Sequence, residues 1–214
     1  MTAAVLEAPP ISEVSTAYYF EGTTPPNRKR WTRDDCDFME RSGILTERYE
    51  LLDGEIISKM GQDLPHAIGI SLITFYLMQT WGPTRVFTQT SLEVLAADGT
   101  RNRPEPDAYV VSRSSSNFTR VPVGSDLLLA VEVSNSTLKD DLHKKADLYA
   151  RAGVPEYWVL DVVARRLHCH RDPVDGRYTD VQAYSEGDTI APLSAPTSEV
   201  RVADLLPPVQ ASAQ

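Results

Sequence analysis

The chain has little cysteine, no long apolar run and no excess of positive charge, and each shortage removes a class of protein. Its two cysteines, Cys36 and Cys169, lie far apart in 214 residues. They give neither a disulfide framework nor the paired spacing of a zinc site. No stretch is apolar over the ~20 residues that a helix needs to cross a bilayer. The opening MTAAVLEAPP has no basic region ahead of an apolar core, so a cytoplasmic protein with no membrane association is expected. Lys and Arg number 21 against 30 Asp and Glu, a formal net charge of −9. Nonspecific attraction to nucleic acid comes mainly from neutralised phosphates, and this balance argues against it while leaving local basic patches open. With 42% hydrophobic and 24% charged residues, the chain can build one ordinary globular core.

Residues 1–30 are rich in Ala, Thr and Pro and read as a flexible arm. The arm ends in Arg28, Lys29 and Arg30, next to Trp31 and Arg33. This basic knot could touch DNA phosphates, although a short basic cluster on a tail is more often solvated. Residues 31–206 are expected to form one domain, with 207–214 a polar tail. Thr32, with Asp35 three residues on, predicts a short helix ending at Gly43. Tyr49–Leu52 and Glu55–Ile57 flank Asp53-Gly54, a hairpin signal. A helix is expected over His66–Trp81, with Ile68, Leu72, Phe75, Tyr76 and Gln79 on its inner face. Strands follow near Arg85–Thr90, Leu92–Leu95, Asp107–Val111 and Leu127–Val133. A helix over Leu138–Ala152, closed by Gly153, then leads to a strand over Glu156–Asp161. That strand–helix–strand order predicts a parallel pair. A hairpin over Arg166–His170 and Tyr178–Tyr184 and a weak element over Val200–Leu206 complete the pattern.

Charges stand where packing asks for none. Leu127–Val133 is the kind of apolar strand covered on both faces, and Glu132 interrupts it. On the next helix Leu138, Leu142, Tyr149 and Ala152 make one apolar stripe, and Lys145 falls on it with Asp141 one turn before. Buried charges are costly unless paired or bound to metal, so the pattern reads as a site placed inside a fold. Asp107 opens another strand after Pro106. Adjacent strands would bring it to Glu132, and a hard cation such as Mg²⁺ takes oxygen ligands of that kind. Ser134 shares the face of Glu132. Glu50, beside Leu51 and Leu52, offers a third acid. Lys145 would orient a water or stabilise charge developing on a phosphate.

These residues carry a resemblance. The run VEVSNST from Val131 to Thr137, then Asp141, Lys145, Leu148-Tyr149-Ala150 and GVPEYWVLD from Gly153 to Asp161, closely resembles the Uma2 family of restriction-endonuclease-like proteins. So do YELLDGE from Tyr49 to Glu55, His66, and Pro104-Glu105-Pro106-Asp107. The resemblance covers roughly residues 31 to 206 and implies a branch of the PD-(D/E)XK nuclease superfamily. The fold it implies is α/β (α+β): a mixed β-sheet flanked by helices, with additional hairpins. Asp107 matches the motif aspartate and Glu132 the motif acid, while Ser134 stands where that superfamily usually has its lysine. Lys145 matches a lysine moved onto the following helix, and Glu50 an acid on an early element. The implied activity is hydrolysis of DNA phosphodiesters by an endonuclease. Asp107, Glu132 and the Val133 carbonyl would hold Mg²⁺, or Mn²⁺ in its place, and a homodimer would present two sites to a two-fold substrate.

Each residue also has a plainer reading. Glu132 fits a buried ion pair with Lys145, Asp107 a turn after proline, and Asp141 a helix-face partner of Lys145. Glu50 fits an exposed strand position, Ser134 a cap, and His66 a satisfied helix N-terminus behind Pro65. His168 and His170 share a strand face, but no further ligand lies nearby and no zinc is expected. Two other function classes stay open: a catalytically silent nuclease fold that binds nucleic acid or a protein, and a metal-free glycosidase using two acids.

Overall fold

The computed structural model describes residues 29–59, 63–94 and 96–209. The arm before residue 29, including Arg28, and the last five residues of the tail lie outside the described residues. Helix α1 (Arg33–Arg41) starts at Thr32, whose side chain and that of Asp35 exchange bonds with each other's backbone N–H in a capping box. Strands β1 (Tyr49–Leu52) and β2 (Glu55–Ser58) pair antiparallel across Asp53-Gly54, both at positive φ as a two-residue hairpin turn requires. Helix α2 (Leu64–Trp81) begins two residues earlier than its periodicity implied, because Asp63 accepts the His66 N–H at 3.0 Å and Pro65 occupies the first turn.

The main sheet is mixed and has six strands. In spatial order they are β3 (Val86–Thr88), β4 (Ala108–Val111), β5 (Leu127–Ser134), β6 (Glu156–Asp161), β7 (Arg166–Val174) and β8 (Arg177–Ser185). All junctions are antiparallel except β5–β6, the parallel pair expected from the sequence. A single turn, α3 (Ala96–Gly99), lies in the β3–β4 connection. The crossover from β5 to β6 is α4 (Leu138–Asp140), a π turn (Asp141–Lys145) and α5 (Ala146–Arg151). A small pair, β9 (Thr189–Ile190) with β10 (Val200–Arg201), follows β8.

Alternation along the strands makes two layers. Val131, Val133, Trp158 and Leu160 face α2, packing on Ile73 and Leu77. Ala130, Tyr109, Tyr157 and Val159 face α5, packing on Leu148, Tyr149 and Ala152. At the first interface Gly69 permits close approach: a Cβ there would stand 2.8 Å from Val133 Cγ1.

Three local expectations change. The buried face of α2 is Gly69, Ile73 and Leu77, whereas Phe75 and Gln79 are exposed. The helix is apolar nearly all round, so its pattern did not select a face. Residues 92–94 form no strand, only an isolated bridge between Glu93 and Val123, although Leu92 and Val94 are buried. The helix after β5 is not α-helical throughout, since the π turn widens it where Asp141 and Lys145 turn inward. Among the described residues no helix is long and apolar enough to cross a membrane.

Candidate active site

β4 and β5 pair with Ala108 opposite Val131, so one step further along the ladder Asp107 stands opposite Glu132. Both residues share the sheet face of Tyr109 and Ala130, toward the π turn. Asp107 Oδ2 accepts the Val133 N–H at 2.8 Å and lies 3.2 Å from His66 Nε2. Glu132 Oε1 accepts the Tyr149 hydroxyl at 2.8 Å and lies 3.0 Å from Lys145 Nζ. Their other oxygens, Asp107 Oδ1 and Glu132 Oε2, accept no hydrogen bond from the described residues. Both side chains line a cavity of about 680 Å³.

Lys145 is caged by carboxylates. Its Nζ is 3.0 Å from Glu50 Oε2, 3.0 Å from Glu132 Oε1 and 3.4 Å from Asp141 Oδ1, on a side chain only 8% exposed. Asp141 Oδ1 is buried without a hydrogen bond, while Asp141 Oδ2 accepts the Thr137 hydroxyl at 2.6 Å. Glu50 Oε1 accepts the Glu105 N–H at 2.7 Å, which ties β1 to the Pro104–Asp107 loop. Ser134 is buried beside Thr137, with 3.5 Å between their hydroxyl oxygens.

The electrostatics follow from burial and crowding. Burial raises the Glu132 pKa well above the ordinary carboxylate value, and the charges of Asp107, Glu50 and Asp141 add to the rise against the pull of Lys145. Burial works against the charge on Lys145, but Glu132, Glu50 and Asp141 outweigh it and hold the ammonium well above its usual pKa. Burial likewise opposes the charge on Asp107. There the His66 hydrogen bond, the Lys59 charge and the Val133 N–H prevail, and its pKa is lowered. His66 is raised despite burial, through Asp107 and the Val133 backbone.

The donor set suits a hard cation. Two carboxylates each direct one oxygen inward to the protein and keep the other without an internal donor, and Mg²⁺ needs only one or two carboxylates when waters or phosphates complete its shell. Four buried acids, Glu50, Asp107, Glu132 and Asp141, stand around the single Lys145 ammonium, and a divalent ion would offset that negative charge. His66 rests against Asp107 and the Val133 backbone, two of the groups a metal would use. Among the described residues no three histidine, cysteine or acidic side chains are grouped to hold a metal ion.

The family model for Uma2, described as "Putative restriction endonuclease", matches residues 44–203. The chain belongs to the Uma2 family. Among solved structures it is similar to the crystal structure of a putative nuclease belonging to DUF820 from Anabaena variabilis. The TM-score is 0.56 at 15% identity, over 78% of this chain and 96% of that one. This likeness establishes the fold: a mixed sheet flanked by helices. No curated protein matches the sequence.

Within this Uma2 chain, Glu50, Asp107, Glu132, Asp141, Lys145, Ser134, Val133 and His66 gather around one end of β4 and β5. Of the basic arm residues, Lys29 and Arg30 are described, and they lie away from this group. Lys29 Nζ stands 4.1 Å over the Trp31 ring, and Arg30 donates to the Asp53 carbonyl at 2.6 Å, at the hairpin turn. The sequence reading missed Tyr149 as a polar partner, because a tyrosine on an apolar stripe looks like packing. It also missed Lys59 and Arg48, cavity residues with no periodic signal to mark them.

Proposed function

We propose that this Uma2 member is a Mg²⁺-dependent endonuclease that hydrolyses phosphodiester bonds in DNA. One observation carries the reading: Asp107 and Glu132 stand opposite each other on adjacent strands, each held by one oxygen and facing one cavity that Lys145 also reaches. Asp107, Glu132 and the Val133 carbonyl would hold the metal. When bound, it would lower the pKa of a coordinated water and polarise the phosphoryl oxygen. Tyr149 and the Val133 N–H fix the two carboxylates so that their remaining oxygens need not reorganise. Lys145 offsets the negative charge of Glu50 and Glu132 and brings a positive charge toward the place where phosphate charge develops. Glu50 positions Lys145, and Asp141 and Ser134 support it from behind. His66 is suited to orient Asp107, and Lys29 and Arg30 remain candidates for contact with DNA beyond the cavity.

Incubating the purified protein with plasmid and linear DNA in Mg²⁺, Mn²⁺ or EDTA tests this. Cleavage with either ion and none in EDTA is expected. Binding without cleavage in all three would favour the silent nuclease-fold reading. A homodimer is part of the proposal, because cutting both strands needs two sites. Light scattering at micromolar concentration should report twice the chain mass of 23.7 kDa.

A further inference from the structure

The cavity presents a difficulty for the substrate just proposed. Glu50, Asp63, Asp107 and Glu132 all line it, and a phosphodiester approaching four carboxylates is repelled. Lys145 is one charge shared among three acids, and His66 lies on Asp107, so neither offsets that repulsion alone. Two further cations line the same cavity, Arg48 and Lys59. They sit directly across from one another. The Lys59 N–H donates to the Arg48 carbonyl at 2.8 Å, which carries the β1–β2 ladder one pair past Tyr49 and Ser58. Opposed residues of an antiparallel pair project from the same face, and Arg48 is two residues from Glu50, so both cations share the face that carries Glu50 into the site.

Both are anchored on Glu105, and Lys59 Nζ also lies 3.5 Å from Glu50 Oε1. Arg48 Nη2 donates to Glu105 Oε2 at 2.7 Å, while Lys59 Nζ donates to the Glu105 carbonyl at 2.5 Å and lies 3.7 Å from Oε2. Glu105 is fixed between Pro104 and Pro106, with its own N–H on Glu50. A carboxylate oxygen bonded by a guanidinium, with an ammonium 3.7 Å away, stands where a phosphate oxygen would find the same two cations. The Arg48 side chain is 52% exposed, and beyond Glu105 it makes only a long 3.4 Å bond from Nη1 to Gln89 Oε1 among the described residues, so its guanidinium is within reach of a ligand.

We propose that Arg48 and Lys59 form a phosphate-binding wall of the cavity, where the DNA backbone displaces the Glu105 carboxylate and so is held beside the acidic centre. The inference rests on the endonuclease reading for its substrate, but its test does not need cleavage. Anisotropy titrations of a labelled duplex are run in EDTA, so that nothing is cut, across a salt series. Losing two phosphate contacts should flatten the slope of log affinity against log salt by about 1.8, at about 0.9 per contact, in the R48Q/K59Q double variant. Affinity at low salt should fall with it. Glu105→Gln should move the other way, binding about two- to fivefold tighter, because it removes the competing charge. The charge-conserving R48K/K59R variant should keep the wild-type slope, which separates lost charge from damaged folding. An unchanged slope in R48Q/K59Q, or weaker binding in Glu105→Gln, overturns the wall. So does a wild-type chain that fails to bind duplex at any salt. If wild type binds with these responses yet cuts nothing in Mg²⁺ or Mn²⁺, the nuclease reading fails while the wall stands. If it cuts and the variants keep the wild-type slope, the reverse holds.

Discussion

Glu132 and Glu156 are buried carboxylates on neighbouring strands, β5 and β6, and they point to opposite faces of the sheet. Glu156 satisfies itself locally. Its Oε1 takes both Arg171 donors at 2.9 and 2.7 Å and the Trp158 indole at 2.9 Å, and its Oε2 takes the Leu193 N–H at 2.8 Å. Arg171 is its cross-strand partner in the ladder, so the pair is closed within β6 and β7. Glu132 is bonded through one oxygen only and shares its lysine with two further acids. Burial alone does not mark a site. What separates the two is an oxygen left without an internal donor beside a cavity, together with more like charge than the local cation can offset.

The sharpest test of that contrast is a matched pair of near-isosteric changes. Glu132→Gln should reduce metal-dependent DNA cleavage to background while the protein melts no lower than wild type in EDTA, since it removes a carboxylate that burial and its neighbours already disfavour as an anion. Glu156→Gln should do the opposite, costing about 3 kcal/mol by stripping Arg171 of its counter-charge, with cleavage kept in the cold. Urea unfolding and a plasmid assay on both variants suffice. If Glu132→Gln unfolds the protein and Glu156→Gln does not, the assignment of roles is reversed.

Lys145→Met comes next in size. It leaves Glu50, Glu132 and Asp141 without their shared cation, and a loss of about 3–5 kcal/mol is expected in EDTA. Part of that loss should return in Mg²⁺, because a bound ion would supply Glu132 with a counter-charge. Equal melting of variant and wild type in both conditions would mean that the cage contributes nothing to the fold.

The smallest effect concerns pH. His66 has its pKa raised above 6.5 by Asp107 and the Val133 backbone against the effect of burial. Its contribution to stability is therefore complete below 6.5 and is lost as pH climbs through the raised value. Asp107, lowered below 3.8, contributes above that value and loses its share only on acidification through the lowered one. The wild-type melting temperature should thus decline as pH rises through neutrality, and His66→Gln should flatten that decline. A parallel decline in the variant would assign it to another group.

Much of this was legible in the sequence. The hairpin turn at Asp53-Gly54, the capping box at Thr32 and the parallel β5–β6 pair follow from local chemistry, and the charges at Glu132 and Lys145 stood out because strand and stripe were otherwise apolar. The same criterion could not sort Glu132 from Glu156, since the counter-charge of Glu156 lies fifteen residues away on another strand. The buried face of α2 was unreadable because the helix has apolar residues on nearly every side. Arg48 and Lys59 escaped notice for another reason: the role proposed for them depends on a shared contact, Glu105, which is distant from both in sequence.

The π turn makes the site sensitive to chain length as well as to composition. An α-helix advances by about 100° for each residue, and the wide turn at Asp141–Lys145 resets that phase by accommodating one residue more than an ordinary turn would. Removing a single solvent-facing residue there, such as His143, would alter no acid and no lysine. It would still bring Asp141 and Thr137 one residue nearer to Lys145 along the chain, so that the ammonium aimed at Glu132 and the buried carboxylate that meets it would face each other across a different turn.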